Sequence, residues 1–328
     1  MQTQNTNTKP FGVVIKKSNG LYTVCKDGRM TVCRLSTALW QRLEQGNTAK
    51  NTRDERQDSI QSVAIGDRVA YSPTDNGEGL ITSVAQRRNY LARRAARPMP
   101  SAHAHEQVIA ANLDQVIPIF VAADPTPKWG MLDRYLVNAE AAGIPASIVI
   151  TKVDLIQAEP TVHELQSVVA RYRAIGYPVI LTSAADQQGL DAFRQMLTGK
   201  TSALVGKSGV GKTTLLNVVE PGLGLRVQSV NPTTGKGRHT TTNIEMIALA
   251  TGGAVIDTPG TQEFGLWGLD PENISHYFPE MLPLLGQCKF GLSCQHYEEP
   301  GCAIRAAVMS GEISPYRYKS YLRLKADL

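Results

Sequence analysis

The chain has 328 residues, of which 42% are apolar and 19% are charged, a composition typical of globular proteins with two or three domains. No apolar run approaches the roughly 20 residues that a membrane-spanning helix needs, and the polar first residues lack the apolar core of a secretory signal. These features argue against a membrane protein and favour the cytoplasm. The net charge of +5 is uneven, because residues 1–105 contain 16 Lys and Arg against 8 Asp and Glu. Such a local basic excess indicates a polyanionic partner.

The first ten residues are predicted to be a disordered tail, and residues 11–95 are predicted to form a small barrel of the OB-fold type. Five short β-type segments occur there, separated by turn signals such as Ser18-Asn19-Gly20. The predicted strands are FGVVI, LYTVC, MTVCRL, RVAY and GLITSV, and residues 45–62 are predicted to be a loop. The charge favours RNA binding by this domain; the alternative is a β-domain with a purely structural role.

Residues 87–97 contain five Arg and no acidic residue. This segment is predicted to be a linker or first helix that faces RNA, with a solvated basic face as the alternative.

Residues 96–270 alternate between apolar strands and amphipathic helices, which predicts an α/β domain with a parallel sheet covered on both faces. The predicted strands are 115–123, 146–151, 178–184 and 202–206, and the predicted helices are 131–143 and 161–173. The remaining residues, 271–328, are predicted to form a short helical domain rich in Cys and His.

A complete phosphate-binding loop follows the apolar segment Ala203–Val205 and precedes a helical segment. Its small residues allow backbone amides to surround phosphates at a helix N-terminus. Lys212 is predicted to bridge the β- and γ-phosphates, and Thr213 to bind Mg²⁺. The predicted phosphate-binding residues are Gly206, Lys207, Ser208, Gly209, Val210, Gly211, Lys212, Thr213 and Thr214.

A second motif, Asp257-Thr258-Pro259-Gly260, follows another apolar strand. Asp257 is predicted to hold Mg²⁺ through a water molecule, and the Gly260 amide is predicted to sense the γ-phosphate.

The polar segment 231–242 lies between these motifs and is predicted to be a nucleotide-responsive loop. Thr241 is the favoured additional Mg²⁺ ligand. Thr261 stands where many GTPases have a water-orienting Gln, so intrinsic hydrolysis is expected to be slow and His239 is a candidate for positioning water. The alternatives are an ordinary polar loop and a histidine without a catalytic role.

Guanine selection is assigned to Asp154, whose carboxylate suits the base N1–H and 2-amino groups. Lys152 is expected to lie over the base, and Ser183 and Ala184 to provide backbone contacts to it. Thr151 occupies a position at which Asn is more common. Loss of the Asn amide, which braces the base-binding site, predicts modest nucleotide affinity. Because this base motif precedes the phosphate loop, the order of motifs predicts a circularly permuted GTPase that prefers GTP over ATP.

Four soft ligands occur within 15 residues near the C-terminus: Cys288, Cys294, His296 and Cys302. This set predicts a closed, structural Zn²⁺ site. Cys25 and Cys33 lie in the predicted barrel and are expected to be ordinary thiols.

The segment 314–325 interleaves three tyrosines with four basic residues, which suits RNA contact. The alternative is a helix packed on the Cys/His domain.

Together, these motifs closely resemble the ribosome small-subunit-dependent GTPase A family (RsgA, also called YjeQ). The resemblance extends from Phe11 to the C-terminus and rests on the strings TKVDL, LVGKSGVGKTTLLN, GKGRHTTT, VIDTPG and EFGLW and on the Cys/His segment. It implies an OB-fold domain and a zinc domain flanking the GTPase domain, and hydrolysis stimulated by the 30S subunit late in its assembly. In the family, the histidine before the threonine run is implicated in hydrolysis, and His239 occupies that position. The chain departs from the family pattern in Thr151, in the spacing of its first two cysteines and in its short N-terminal tail.

The sequence therefore predicts a monomeric GTPase that binds the 30S subunit and 16S rRNA and is released by hydrolysis. Two alternatives remain open: an RNA-binding module that holds nucleotide with little turnover, and a GTPase that serves another RNA or a membrane partner.

Overall fold

The computed structural model of the protein describes residues 11–48, 62–74, 77–94, 106–225, 244–257 and 269–328. The predicted N-terminal tail lies outside these residues. Five strands form the N-terminal barrel: β1 (Phe11–Ser18), β2 (Leu21–Lys26), β3 (Arg29–Leu35), β4 (Arg68–Pro73) and β5 (Gly79–Val84). They follow the order β1-β2-β3-β5-β4, and pairing of β4 with β1 closes the barrel. All five predicted strands are confirmed.

A helix that the sequence analysis missed, α1 (Thr37–Thr48), follows β3 and extends into the predicted loop. The Ser36 hydroxyl caps it by accepting a hydrogen bond from the Leu39 amide at 3.2 Å. Leu39 and Leu43 are buried with the barrel core. Their spacing of four places both side chains on one face of the helix.

In its described part, residues 87–94, the arginine-rich segment does not contain the predicted helix. Part of it forms β6 (Tyr90–Arg94), which pairs with β7 (Glu106–Ala111) in a separate two-stranded sheet. Arg87 contacts the buried Asp67 carboxylate at 2.8 Å, and Arg88 contacts Asp114 at 2.6 Å. Arg87 therefore connects the segment between β5 and β6 to the residue before β4, and Arg88 connects the same segment to Asp114, which follows β7.

The α/β domain contains strands β8 (Gln115–Val121), β9 (Ile148–Thr151), β10 (Val179–Leu181), β11 (Thr201–Val205), β12 (Glu245–Ala248) and β13 (Ala254–Asp257). Its helices are α2 (Trp129–Ala141), α3 (Glu159–Ile175), α4 (Leu190–Leu197) and α5 (Lys212–Val219). The strand order is β10-β9-β8-β11-β13-β12. Apolar residues of α2 and α3 belong to one core cluster and those of α4 and α5 to another, as expected for helices on both faces of a sheet.

One strand departs from the predicted parallel arrangement. β12 pairs antiparallel with β13 and also with β1, where Glu245 lies opposite Lys16. The side chains of these two residues form an ion pair at 3.1 Å. The barrel and the α/β domain therefore share one continuous eleven-stranded sheet.

Residues 269–328 form short 3₁₀ turns followed by α6 (Ala303–Ser310) and α7 (Pro315–Ala326). Their apolar core includes Phe278 and Tyr321, and Val137 of α2 also belongs to it. The C-terminal region thus packs directly on α2. Among the described residues, no helix is both long and apolar enough to cross a membrane.

Candidate functional site

The predicted nucleotide-binding segments converge at one edge of the sheet. β9, β10, β11 and β13 belong to the parallel part of the sheet. They end at Thr151, Leu181, Val205 and Asp257, and the predicted binding segments include or follow these residues. Because the carboxyl ends of parallel strands share an edge, distant parts of the chain meet at the edge where open α/β sheets bind nucleotides.

The phosphate loop connects β11 to α5, and its conformation depends on glycine. A Cβ at Gly206 would collide with the carbonyl oxygen of Ile119 in β8. Gly209 and Gly211 have φ angles of +83° and +88°, in the region that L side chains rarely adopt. The other predicted phosphate-binding residues lie in this loop or in the first turn of α5: Lys207, Ser208, Val210, Lys212, Thr213 and Thr214. The backbone therefore has the form of a phosphate cradle.

Lys212 lies across this loop. Its Nζ donates to the carbonyl oxygens of Gly206 at 2.9 Å and Lys207 at 3.2 Å. Burial lowers the pKa of Lys212, an effect that nearby Asp257 opposes. Burial also raises the pKa of the Asp257 carboxyl, and Lys212 opposes that shift. The two predicted residues are therefore brought together in an environment that disfavours both charges.

A cation fits beside Asp257. Its Oδ1 is buried and has no hydrogen-bond partner among the residues that the structure describes. A buried carboxylate oxygen without a partner is costly unless another group, such as a metal ion, satisfies it. Thr213, in the first turn of α5, supplies the hydroxyl that Mg²⁺ sites of this type use. The donor set thus suits Mg²⁺ held between Thr213 and Asp257.

Thr151 connects the base motif to its surroundings through its hydroxyl; the expectation that it does so less strongly than Asn stays a prediction. The buried Thr151 hydroxyl donates to the Val210 carbonyl oxygen at 2.6 Å and lies 3.2 Å from that of Phe120. Val210 belongs to the phosphate loop, so one hydrogen bond connects the base motif to the phosphate cradle. The base motif and the phosphate loop lie close enough for the short Thr151 side chain to form this hydrogen bond.

The other residues predicted to recognise the base lie near Thr151 in the chain or are connected to its turn by hydrogen bonds. Lys152 Nζ donates to the carbonyl oxygen of Asp124 at 2.6 Å, a contact that no sequence motif indicates. Asp154 is half-buried in a 3₁₀ turn directly after β9. The Val153 amide donates to the Thr182 carbonyl oxygen at 3.3 Å, which connects this turn to the segment containing Ser183 and Ala184.

Three of the predicted residues lie outside the described part of the chain. These are His239 and Thr241 in the segment 231–242 and Gly260 after β13. Their predicted roles in hydrolysis, Mg²⁺ binding and phosphate sensing stay predictions.

The Cys/His set converges as predicted. The ligand atoms of Cys288, Cys294, His296 and Cys302 all lie within 4.8 Å of one another, and all four residues are buried. Nδ1 of His296 lies 3.5 Å from Sγ of both Cys288 and Cys302. Burial raises the pKa of Cys294 to about 12, so binding a metal as thiolate would release a proton. Three thiols and one imidazole form a donor set that suits tetrahedral Zn²⁺.

Helix α7 supports this cluster, and part of its predicted RNA-facing surface is buried. Tyr318 donates to the His296 carbonyl oxygen at 2.8 Å, and Tyr321 to that of Gln295 at 2.9 Å. Arg317 and Tyr321 are each only 1% exposed. These residues therefore follow the alternative that the sequence left open, a helix packed on the Cys/His domain, whereas Tyr316 and Lys319 remain exposed.

Comparison with protein families identifies one match over more than half of the chain. The family model described as RsgA GTPase matches residues 84–267. A protein of Gemmatimonas aurantiaca named small ribosomal subunit biogenesis GTPase RsgA is 44% identical over 268 residues, covering 81% of this chain and 84% of that protein. A protein of Chlorobaculum parvum with the same name is 40% identical over 322 residues, covering 97% of each chain.

Solved structures give the same similarity. The crystal structure of YjeQ from Thermotoga maritima superimposes with a TM-score of 0.74 at 30% identity, covering 97% of this chain and 98% of that one. The crystal structure of YloQ, described as a circularly permuted GTPase, gives a TM-score of 0.69 at 30% identity, with 100% and 97% covered. These similarities include the barrel and the Cys/His region as well as the nucleotide-binding domain.

Proposed function

Because this chain belongs to the RsgA GTPase family and is a circularly permuted GTPase, we propose that it assists late maturation of the 30S ribosomal subunit. In this proposal, the protein binds the particle with GTP and leaves after hydrolysis. The observation that carries the nucleotide part is the convergence of Asp154, the phosphate loop and Asp257 at one edge of the sheet. The names of the relatives support the ribosomal partner, since they are called small ribosomal subunit biogenesis GTPases.

The proposed nucleotide site assigns a function to each segment. Asp154 selects guanine, Lys152 covers the base, and backbone groups at Ser183 and Ala184 contact it. Amides of residues 206–214 surround the phosphates, and Lys212 neutralises charge on the β- and γ-phosphates. Gly260 senses the γ-phosphate.

Two metal ions are proposed. Mg²⁺, held by Thr213 and Asp257 with Thr241 added when GTP is bound, would neutralise phosphate charge. Zn²⁺, held by Cys288, Cys294, His296 and Cys302, would be structural, because four protein ligands leave no open position. Metal analysis should give one zinc per chain, and Cys294→Ala should lose it; a folded wild-type protein without zinc would contradict this assignment.

The proposed RNA partner is 16S rRNA within the 30S subunit. The basic excess of residues 1–105 supports contact with a polyanion. The protein is proposed to act as a cytoplasmic monomer with an RNA-binding barrel over residues 11–95, a GTPase domain over 96–270 and a zinc domain over 271–328. This organisation would place nucleotide sensing between two ribosome-contacting domains.

His239 is proposed to position the attacking water. His239→Ala should keep nucleotide affinity but lower the 30S-stimulated kcat by about 10- to 100-fold, or ~1.4–2.7 kcal/mol of transition-state stabilisation. Measuring kcat at saturating 30S separates this role from RNA binding, because a histidine that only contacts RNA would leave kcat at saturation unchanged.

Phosphate release under multiple turnover, with and without 30S subunits, tests the proposed function as a whole. Strong stimulation by 30S subunits but not by 50S subunits is expected. Tight GTP binding without turnover in either condition would instead favour the RNA-binding module. Capture with a GTP analogue, followed by RNA identification, should recover 16S rRNA; recovery of another RNA would reject the 30S assignment.

A further inference from the structure

Arg317 of α7 lies in a buried cluster of charges between the Cys/His region and the GTPase domain. Its guanidinium contacts Asp133 of α2 at 2.5 Å and Glu280 at 2.6 and 3.1 Å. The side chain of Arg317 is 1% exposed and that of Asp133 is 5% exposed. Burial opposes the charge of Arg317, yet the two carboxylates hold the pKa of the guanidinium above its ordinary value. The cluster is thus a fixed connection between the two regions.

The same helix also holds the metal-binding loop. Its tyrosines donate to the carbonyl oxygens of His296 and Gln295, as described above, and Lys325 Nζ contacts the Gln295 carbonyl oxygen at 3.1 Å and its Oε1 at 2.5 Å. Since His296 is a proposed metal ligand, the position of α7 depends on the packing of the loop that surrounds the metal.

On its other side, Arg317 reaches the two helices that flank the guanine motif. Asp133 also accepts a hydrogen bond from the hydroxyl of Tyr172 in α3 at 2.7 Å. α3 is the helix that follows the motif in the chain. α2 is preceded by the segment whose Asp124 carbonyl oxygen accepts from Lys152. Asp133 therefore connects α2, α3 and α7 at one point.

Further contacts keep α7 against α2. Arg323 donates to the Gly130 carbonyl oxygen at 2.6 Å, and a Cβ at Gly130 would collide with the Arg323 guanidinium. Arg134 of α2 forms an ion pair with Asp327 at the end of α7. These contacts favour movement of the two helices as a unit.

We propose that Arg317 is a positioning residue that couples the zinc-bound loop to the guanine-binding motif, so that occupancy of the zinc site increases guanine-nucleotide affinity. The inference rests on the proposed zinc and guanine sites. The physical reason is a chain of contacts. When the metal-binding loop loses its zinc, α7 is held less firmly. Because α7 contacts Asp133 through Arg317, α2 and α3 are then also held less firmly around Lys152 and Asp154. Coupling between two sites is reciprocal, so nucleotide should also strengthen zinc retention.

The test measures the affinity of fluorescent GDP for the full chain, first zinc-loaded and then stripped by a chelator. Loss of zinc from the wild type should weaken GDP binding on the order of 10-fold. Arg317→Lys keeps the positive charge but loses the two-pronged contact to Glu280. This variant should bind GDP more weakly even when zinc-loaded, and removal of zinc should then change its affinity by less than about twofold.

Lys319→Met is the matched control, because Lys319 is exposed on the same helix and should retain the wild-type response to zinc. Equal GDP affinity of the zinc-loaded and stripped wild type would overturn the proposal, as would equal losses in the wild type and Arg317→Lys. In the reciprocal measurement, GDP should raise the zinc affinity of the wild type but not that of Arg317→Lys; an equal rise in both would overturn the proposal. Binding of GDP and zinc is measured without ribosomes, so failure here is distinguishable from failure of the proposed 30S activity.

Discussion

The Arg317 cluster and the Lys212–Asp257 pair both enclose opposite charges, but they differ in how well their polar atoms are satisfied. The guanidinium of Arg317 is surrounded by hydrogen-bonded carboxylates of Asp133 and Glu280. Oδ1 of Asp257 is buried without a hydrogen-bond partner among the described residues. Lys212 donates to backbone carbonyl oxygens.

The difference separates a structural cluster from a binding one. A buried charge that has all its partners contributes to the fold, whereas a buried oxygen that lacks one favours an incoming cation. The pKa shifts follow the same division. The pKa of Lys212 is lowered and that of Asp257 is raised, so both charged forms are disfavoured. The pKa of Arg317 is raised, so its charged form is favoured. Mutations in the two clusters should therefore differ most in their effect on the stability of the fold.

The largest expected effect is on stability. Arg317→Met removes the positive charge from two largely buried carboxylates, so the free energy of unfolding should fall by about 3–5 kcal/mol. Urea denaturation measures this loss. Adding Glu280→Gln should recover part of it, since one uncompensated charge is removed. An unchanged unfolding midpoint in Arg317→Met would show that the cluster does not stabilise the protein.

The second effect is on nucleotide binding. Lys212→Met should weaken GTP binding by about 100- to 1,000-fold, or ~2.7–4.1 kcal/mol, because a cation is lost from the phosphate cradle. Its free energy of unfolding should change by no more than about 1 kcal/mol, because Lys212 donates to backbone carbonyl oxygens and its loss removes no charge-assisted contact to a carboxylate. Calorimetric GTP titration beside urea denaturation checks both. A loss of stability as large as that of Arg317→Met would remove the distinction between the clusters.

The sequence predicted those features whose parts lie close together in the chain. The Cys/His ligands fall within 15 residues, and the phosphate loop is one continuous motif between a strand and a helix. Each strand of the barrel has its own turn signals. Local patterns were sufficient in these cases because the geometry of each is fixed by neighbouring residues.

Long-range contacts were not predictable in the same way. Arg317 and Asp133 are separated by 184 positions, and the pattern of tyrosines with basic residues around Arg317 suits either RNA or a packed interior. The pairing of β1 with β12 depends on how two domains meet. Likewise, the role of the Thr151 hydroxyl depends on its closeness to Val210, a residue of a different loop.

Asp154→Asn should change base preference without changing either charged cluster. An amide replaces the acceptor for the guanine N1–H and 2-amino groups, so GTP affinity should fall by about 10- to 100-fold, or ~1.4–2.7 kcal/mol. Xanthosine triphosphate, whose 2-oxo group accepts from an amide, should gain relative affinity. Competition binding of the two nucleotides measures the ratio. An unchanged preference for GTP would exclude Asp154 as the selecting residue.

The smallest expected effect concerns Thr151, which joins the base motif to the phosphate loop. Thr151→Val keeps the shape of the side chain but leaves the buried Val210 carbonyl oxygen without this donor. Loss of one such hydrogen bond costs about 1 kcal/mol, so GDP affinity should fall by about fivefold. Thr198→Val is a suitable control, because the exposed Thr198 hydroxyl donates to the Arg194 carbonyl oxygen at the C-terminal end of α4, away from the base motif and the phosphate loop. Thr151→Asn should raise affinity by no more than about twofold, since the hydroxyl already provides the brace. A much larger gain in the asparagine variant would mean that threonine is a poor substitute at this position, as the sequence alone had suggested.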